Sequence, residues 1–408
     1  MGEQMLELED LLGELKSAGR VESSGQFSLD IRKATPKLQE YQLKEHQRYF
    51  YALKIVQAAI AAGAQEITVD CNNQRVKIEY DGRVPDRTEL AELLHYLFES
   101  EARTEVRHLR ALAFGINTAV GVGAHEIRLD CNAGKEAYCH RWVHGEVSQS
   151  DIRPWHKASR MRFYLSRRMD EVARGWWNTA NCDITDLLKG RRAAMEKEQA
   201  AVYDRCPYAP ARISLNGTPV NHFVFGEPRF PGYEIYKDPH PGATRVPWWL
   251  QLSDRSTFVK GVCHRRHHLV ERHVAARRNS PCSIPVPAQP HATILQRVGD
   301  FDGGGRFCEL LVGIEMDLKR RSRVTIIEDG VILCQESPEL GIPGVVALMS
   351  SDGLTKDISG FQVVKNEAWY RRMDELRVHL AEMVRELRAQ SDRIPLRGEV
   401  LPRFPTDL

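Results

Sequence analysis

The sequence lacks three features that mark special classes of protein. None of its apolar runs approaches the about 18 residues that a membrane-spanning helix needs. Its nine cysteines include no C-x-x-C pair, which argues for reduced thiols rather than a secreted disulfide framework. Neither sign of charge dominates, since 57 Lys and Arg face 55 Asp and Glu, so a polyanion is not expected as the main partner. We therefore expect a cytoplasmic protein without a membrane span.

What the sequence does contain is the composition of an ordinary folded protein. Hydrophobic residues make up 42% and charged residues 27% of the 408 residues, and this length predicts two or three domains. The acidic N-terminus, MGEQMLELEDLLGELK, lacks the basic start and apolar core of a signal peptide. Its leucine spacing instead predicts a short amphipathic helix that ends at Gly19.

One helix–strand–hairpin unit occurs twice in the first half of the chain. The stretch GAQEITVDCN at 63–72 is echoed by GAHEIRLDCN at 123–132. Each stretch follows an apolar helical pattern and leads into a hairpin. We therefore predict that the strands starting at Ile67 and Ile127 lie in one sheet, each preceded by its own helix.

The later pattern predicts a connecting helix and a second domain. Two of its strands are joined by the turn residues Asp329-Gly330, and a closing helix carries an apolar stripe over 369–387. We predict five parts: a helix over 1–20, a first domain over 21–180, a connecting helix over 181–205, a second domain over 206–390 and a flexible tail over 391–408.

The first domain resembles the ATP-binding domain of the GHKL superfamily, which comprises gyrase B, the MutL proteins, histidine kinases and the ninety-kilodalton heat-shock chaperones. The resemblance rests on three stretches: FYALKIVQAAIAAGAQEITV at 50–69, VKIEYDGRVP at 76–85, and the helix and strand at 110–129. The second of these aligns with the family motif Asp-x-Gly-x-Gly. Residues 344–380 also resemble the chaperone middle domain. The resemblance implies an α/β protein: a two-layer α+β sandwich of GHKL type, followed by a middle or transducer-like α/β domain.

The catalytic positions implied by this resemblance hold residues of the wrong chemistry. Lys54 stands where the family has the Glu that activates water, and Ala58 stands where it has the Asn that binds magnesium. A charged ammonium cannot accept a proton, and a methyl group cannot bind a cation. The middle-domain Arg that reaches the terminal phosphate falls on Gly360. The resemblance therefore implies a degenerate site without ATP turnover.

The adenine and phosphate positions depart from the family in the same way. Tyr80 replaces the adenine-binding Asp, with Asp81 and Gly82 one place late, and only Ser159 keeps the chemical type of its counterpart. The segment 101–108, where the family has a phosphate-binding loop, contains no glycine. We predict that the replacements themselves close the pocket. The acids nearest in sequence to Tyr80 that could pair with the Lys54 ammonium are Asp81 and Glu79.

A second group of polar residues lies between 260 and 278. Its Cys and His residues have spacing that metal ions use, but the accompanying cations favour a basic surface patch over a metal site. The patch consists of Lys260, Arg265, Arg266, Arg272, Arg277 and Arg278.

These observations predict a protein similar to the heat-shock chaperones that acts as a non-catalytic adaptor or scaffold for a protein client or complex partner. No cofactor and no metal are expected in this interpretation. Two alternatives stay open. The first is an ATP-binding conformational switch with a rebuilt site, which would use ATP and Mg²⁺. The second is a basic adaptor that docks on nucleic acid through residues 260–278.

Overall fold

A computed structural model gives the structure of the chain over most of its length. It describes residues 19–21, 27–29, 48–99, 104–122, 124–143, 146–167, 184–221, 234–236, 243–245, 258–260, 268–276, 284–287, 292–301, 306–315, 318, 321–357, 359–394 and 397–404. Residues 1–18, where the N-terminal helix is predicted, lie outside these ranges. Gly19–Val21 (β1) and Phe27–Leu29 (β2) pair as a short antiparallel ribbon.

The chain divides into two compact units. The first contains the residues up to Asn221 together with 328–333 and 352–369, and the second contains 222–327, 334–351 and 370–408. Each unit combines a sheet with helices, which confirms the predicted α/β class and the predicted second α/β domain.

The main sheet of the first unit has eight strands within the described ranges. They are β3 (Glu66–Cys71), β4 (Arg75–Asp81), β5 (Ala124–Asn132), β6 (Ala137–Val143), β7 (Glu146–Asp151), β8 (Arg160–Arg167), β9 (Arg212–Leu215) and β10 (Thr218–Pro219). Their order across the sheet is β10-β9-β3-β4-β8-β5-β6-β7. Among the pairings of these described strands, only β3–β9 is parallel. β3, β4 and β8 alternate buried apolar with more exposed polar side chains, as expected for strands with one covered face.

Two helices form the core of this unit with the sheet. Tyr51–Ala61 (α1) follows a 3-10 turn at Arg48–Phe50, and Arg107–Gly121 (α3) follows another at Thr104–Val106. The helices approach closely at Gly115, where an added Cβ would lie 2.6 Å from Ile55 Cδ1. The remaining helical segments within the described ranges are Arg87–Ala91 (α2), Ile184–Arg205 (α4), Glu367–Ala389 (α5), Arg397–Val400 (α6), and 3-10 turns at Leu93–Phe98, Ser391–Arg393 and Leu401–Arg403.

The predicted repeat is confirmed. β3 follows α1 and β5 follows α3, and both strands belong to the eight-stranded sheet, separated by β4 and β8. The hairpin expected after the first repeat is present between β3 and β4, where the Asn72 side-chain oxygen accepts hydrogen bonds from the backbone of Gln74 and Arg75 at 2.9 and 3.0 Å.

The first unit extends further along the chain than the predicted boundary at 205. β9 pairs with β3 in parallel, and the Asn216 side chain binds both the amide and the carbonyl of Cys71, at 2.8 and 3.1 Å. Residues up to Asn221 therefore belong with the first sheet. Because β3 and β9 are far apart in the sequence, no local sequence pattern predicts that they pair.

The second large sheet has seven strands within the described ranges: β14 (His268–Ala275), β15 (Ile284–Pro285), β16 (Ala292–Val298), β17 (Phe307–Glu315), β18 (Arg323–Glu328), β19 (Val331–Glu336) and β20 (Val345–Ser350). Their order is β16-β14-β17-β20-β18-β19, with β15 on β17. Glu234–Tyr236 (β11), Ala243–Arg245 (β12) and Phe258–Lys260 (β13) form a separate small sheet.

The last helices differ in how well the sequence predicted them. The apolar stripe of α5 is buried as expected: Trp369, Met373, Leu376, Leu380, Met383 and Leu387. The expectation of a loose tail is wrong for its described part, because Ile394, Val400 and Phe404 are buried and Arg388 donates to the Phe404 carbonyl at 3.3 Å. Among the helices of the described ranges, none is both long and apolar enough to cross a membrane.

Candidate functional site

Lys54 is buried in the first unit and surrounded by aromatic rings. Its Nζ lies 3.4 Å from the Gly360 carbonyl oxygen and 4.4 Å from the centre of the Phe361 ring. Phe361 in turn meets Phe50 edge-on at 4.9 Å, and the Arg205 guanidinium lies 4.3 Å from the Phe50 ring centre. Cations thus lie against both rings of this aromatic pair, an arrangement that stabilises charge away from water.

Two carboxylates of one turn bind the neighbouring cations. Arg107, the first residue of α3, donates from Nη2 to Glu328 Oε1 and from Nε to Asp329 Oδ2, each at 3.0 Å. Lys356 Nζ contacts the same Glu328 oxygen at 2.7 Å. We call Lys54, Arg107, Lys356, Glu328 and Asp329 the charge cluster.

The two carboxyl groups of the charge cluster titrate differently. Burial alone would raise the pKa of Glu328, but the charges of Lys356, Arg107 and Lys54 hold it at about 2. Burial and the neighbouring Glu328 charge raise the pKa of Asp329 to about 6, although Arg107 opposes this. Glu328 is therefore the permanent anion of the cluster, and Asp329 takes up a proton in mildly acidic solution.

The backbone of the turn is tightly constrained. Asp329 and Gly330 have φ values of +46° and +71°, as a two-residue hairpin of Asp-Gly type requires. A Cβ on Gly330 would lie 2.4 Å from the Ala209 Cα. Gln57 of α1 donates to the Glu328 carbonyl at 3.2 Å. The predicted turn is confirmed, and these contacts fix where its carboxylates lie.

Sequence reasoning missed most of the charge cluster. Of its members only Lys54 was a predicted site residue, while Arg107, Lys356, Glu328 and Asp329 were not. The sequence feature that could have pointed to the cluster is the Asp329-Gly330 pair preceded by Glu328. Such a pair indicates a turn rather than a functional site.

The predicted pocket residues Ala58 and Tyr80 are both buried. The Tyr80 hydroxyl lies 2.9 Å from Met161 Sδ, and burial raises the pKa of this phenol strongly. Tyr80 shares its face of β4 with Val76 and Ile78, so it belongs to the packed core. Its bulk lies where the resemblance implies a short carboxylate.

Asp81 and Gly82 shape the connection around the start of β3. Asp81 Oδ1 accepts the backbone amides of Gln65 and Glu66, each at 2.8 Å. Gly82 has a φ of +122°, and a Cβ there would lie 2.8 Å from the Ala62 carbonyl oxygen. These contacts give both residues a structural role.

The acids suggested by sequence as partners of Lys54 are engaged elsewhere. Asp81 binds backbone amides, and Glu79 binds Lys77 and Arg162, each at 2.9 Å. The cation instead meets Gly360, which is 306 positions away in sequence. Ser159, in contrast to the buried Lys54, is exposed.

A second buried polar cluster anchors α4. The Glu198 carboxylate accepts the Tyr51 hydroxyl at 2.5 Å and the Cys71 thiol at 3.4 Å, and it pairs with Arg167. Burial, followed by the Glu198 charge, raises the pKa of the Cys71 thiol to about 12. A thiol with this pKa is a poor nucleophile, so the cluster is structural.

The predicted basic surface patch needs correction at Arg272. This side chain is buried, donates to Gln296 at 2.9 Å and pairs with Glu382, so it is not part of a surface patch. Lys260 belongs to β13, while Arg265, Arg266, Arg277 and Arg278 lie outside the described residues.

The nearby histidines bind an internal acid. Glu271 accepts from His268 at 2.7 Å and from His273 at 3.2 Å, and all three side chains are buried. Burial would raise the pKa of Glu271, but these hydrogen bonds hold it at about 2. Within the described ranges, no group of three or more His, Cys, Asp or Glu residues is arranged to hold a metal ion.

An open depression lies at the turn between β5 and β6. It is lined by Ala133, Gly134, Lys135, Glu136 and Lys157. None of the predicted pocket residues lines it.

The described residues thus form a mixed α/β protein of two units, with a buried charge cluster in the first. No protein-family model and no curated protein sequence matches the chain. Among solved structures it is similar to the B subunit of DNA gyrase from Myxococcus xanthus, with a TM-score of 0.42 and 8% identity over 88% of this chain and 93% of that chain. This distant likeness carries over neither an activity nor a ligand.

Proposed function

We propose that this chain is a non-catalytic, GHKL-like scaffold whose own side chains fill the position of a nucleotide, and that it acts as a chaperone-like adaptor for protein partners. The observation that carries the proposal is the placement of Lys54. Its ammonium is buried between the Gly360 carbonyl and the Phe361 ring, at the position where a hydrolase of this kind would need a base.

Glu328, the acid of the charge cluster that Lys356 contacts, does not replace that base. Glu328 already accepts from Arg107 and Lys356, and its low pKa makes it a weak proton acceptor. Ala58, one turn further along α1, has no ligand atom for magnesium. The proposal therefore assigns this region to stability rather than chemistry.

The first test is ATP turnover with Mg²⁺, measured on the full chain and on the Lys54→Met variant. We expect both rates to equal the background, because neither protein contains a general base at this position. A magnesium-dependent rate that Lys54→Met abolishes would overturn the proposal and favour a rebuilt ATPase site.

Nucleotide binding is tested separately by thermal shift and calorimetry with ATP and ADP. A ligand at a hundredfold excess over its dissociation constant would raise stability by about 2.7 kcal/mol, so millimolar nucleotide detects even weak binding. We expect no shift. A magnesium-dependent shift that Asp81→Asn removes would contradict the proposal.

The adaptor role has support in exposed apolar side chains on α5. Tyr370 and Val378 are 53% and 60% exposed, and they lie two helical turns apart. We expect the chain to suppress light scattering by a thermally unfolding model client equally with and without ATP. Tyr370→Ser/Val378→Ser should reduce this suppression, whereas Val120→Ser, which changes an exposed side chain of the first unit, should not. Failure of the unmodified chain to suppress aggregation would count against the adaptor role.

A further inference from the structure

One side of the eight-stranded sheet, opposite its buried apolar residues, carries a row of basic and aromatic side chains. We call this side of the sheet the polar face. On it, Lys77 of β4 lies opposite Tyr164 of β8, which in turn lies opposite Arg128 of β5. Arg128 also lies opposite Arg141 of β6. Because these four strands are consecutive in the sheet, the side chains follow one line across it. We call Lys77, Tyr164, Arg128 and Arg141 the basic row.

The flat groups of the polar face are stacked on one another. The Arg128 guanidinium lies 4.8 Å from the centre of the Tyr164 ring. Next to the basic row, the Arg162 guanidinium lies 4.3 Å from the centre of the Trp155 ring. Aromatic rings and guanidinium planes are the groups on which unpaired nucleic-acid bases stack. The polar face therefore presents stacking surfaces and positive charges side by side.

The acids of the polar face are less exposed than the arginines that they bind. Arg128 donates to Asp130 at 2.8 Å, and the exposed fractions of the two side chains are 42% and 3%. Arg141 donates to Glu126 at 2.5 Å, with exposed fractions of 50% and 21%. A ligand that approaches the basic row therefore meets guanidinium groups first. Two arginines directly opposite each other also repel, and a bound anion would offset this cost.

The loop at 152–159 adds further cations to the polar face. The buried Asn132 side chain donates to two carbonyls of this loop at 2.9 and 2.8 Å and accepts the Trp155 amide at 3.2 Å. These hydrogen bonds fix the loop where the Trp155 ring stacks on the polar face. Arg153 and Lys157, two positions before and after Trp155, are both exposed. Cations thus continue from the basic row onto the loop.

We propose that the basic row and the loop at 152–159 form a binding surface for single-stranded nucleic acid. The cations bind phosphates, and the guanidinium and aromatic planes stack on unpaired bases. A duplex fits this surface less well because its bases are already stacked inside the helix, and an acidic peptide has no use for the flat groups. This binding activity goes beyond the proposed function and does not depend on it.

Fluorescence anisotropy of labelled oligo(dT) and oligo(U) strands, measured on the full chain over a range of salt concentrations, tests the proposal. We expect a single strand to bind more tightly than a duplex of the same length and more tightly than polyglutamate of matched charge. The affinity should fall as the salt concentration rises. The two strands distinguish DNA from RNA as the source of the ligand, and preference for either supports the proposal.

Two variants separate charge from stacking. Arg141→Gln removes one exposed cation and should lower the slope of log affinity against log salt by about 0.7, the value for one phosphate contact of a single strand. Arg128→Lys keeps the charge beside Asp130 but loses the plane, so binding should weaken at least about fivefold with an unchanged slope. Arg192→Gln is the matched control, because it removes an exposed arginine that binds Glu196 on α4, and it should change neither quantity.

Several results would overturn the proposal. One is the absence of single-strand binding at low salt, and another is binding of the duplex or of polyglutamate as tight as that of the single strands. A loss in Arg141→Gln without one in Arg128→Lys would show only general attraction of polyanions, which also overturns it. If Arg128→Lys does not fold, Tyr164→Leu removes the ring beside Arg128 and carries the same expectation.

Discussion

Replacement of Gly360 by alanine tests whether the surroundings of Lys54 hold its ammonium in place. Gly360 has a φ of +67°, and a Cβ there would lie 2.7 Å from Lys54 Nζ. Gly353 belongs to the same unit and has a φ of +74°, but nothing lies within 4 Å of its Cβ position. Comparing alanine substitutions at the two glycines therefore separates the cost of backbone strain from the cost of the clash with the Lys54 ammonium.

The expected magnitudes follow from these two effects. Gly353→Ala places alanine in the left-handed region and should cost about 1 kcal/mol of unfolding free energy. Gly360→Ala carries the same strain and must also push the Lys54 ammonium away from the Phe361 ring, which should cost about 0.5–2 kcal/mol more. In a Lys54→Met background, most of this additional cost should disappear because the ammonium is gone.

Hydrogen exchange of the β3 and β4 amides in increasing urea measures the stability of the first unit alone, without assuming that the whole chain unfolds in one step. We expect Gly360→Ala to lose more stability than Gly353→Ala. Equal losses would refute the argument that Lys54 is confined, and so would a difference that is unchanged by Lys54→Met.

Three further predictions concern other buried groups. Gly330→Ala should destabilise the first unit by at least about 2 kcal/mol in the same exchange assay, because its Cβ would meet the Ala209 backbone at 2.4 Å; a loss near 1 kcal/mol would contradict this. Tyr51→Phe removes a hydrogen bond to the buried Glu198 carboxylate and should cost about 1.5–3 kcal/mol in urea denaturation, whereas an unchanged midpoint would argue against that bond. Glu271 has a folded-state pKa of about 2, below its ordinary value of 4.5, so its contribution is complete above pH 4.5 and is lost as the pH falls toward 2. In Glu271→Gln, the free energy of unfolding should therefore fall less steeply between pH 4.5 and pH 2. An unchanged pH profile would show that His268 and His273 do not stabilise the Glu271 carboxylate.

The part of the fold that the sequence determined by itself rests on short-range patterns. Apolar alternation at 67, 69 and 71 defines β3 because neighbouring side chains on a strand point to opposite faces. The repeat at 63–72 and 123–132 was enough to place both strands in one sheet. The turn at Asp329-Gly330 could be read from two residues, since few others tolerate its backbone.

Only the tertiary structure decided which charges meet. Lys54 and Gly360 lie 306 positions apart, and Arg107 and Asp329 lie 222 positions apart, so no periodicity connects them. The nearest acids in sequence, Asp81 and Glu79, were available as partners but are bound elsewhere. A buried charge takes the partner that the packing of distant elements brings within a few ångströms, and this distance is set by the whole fold.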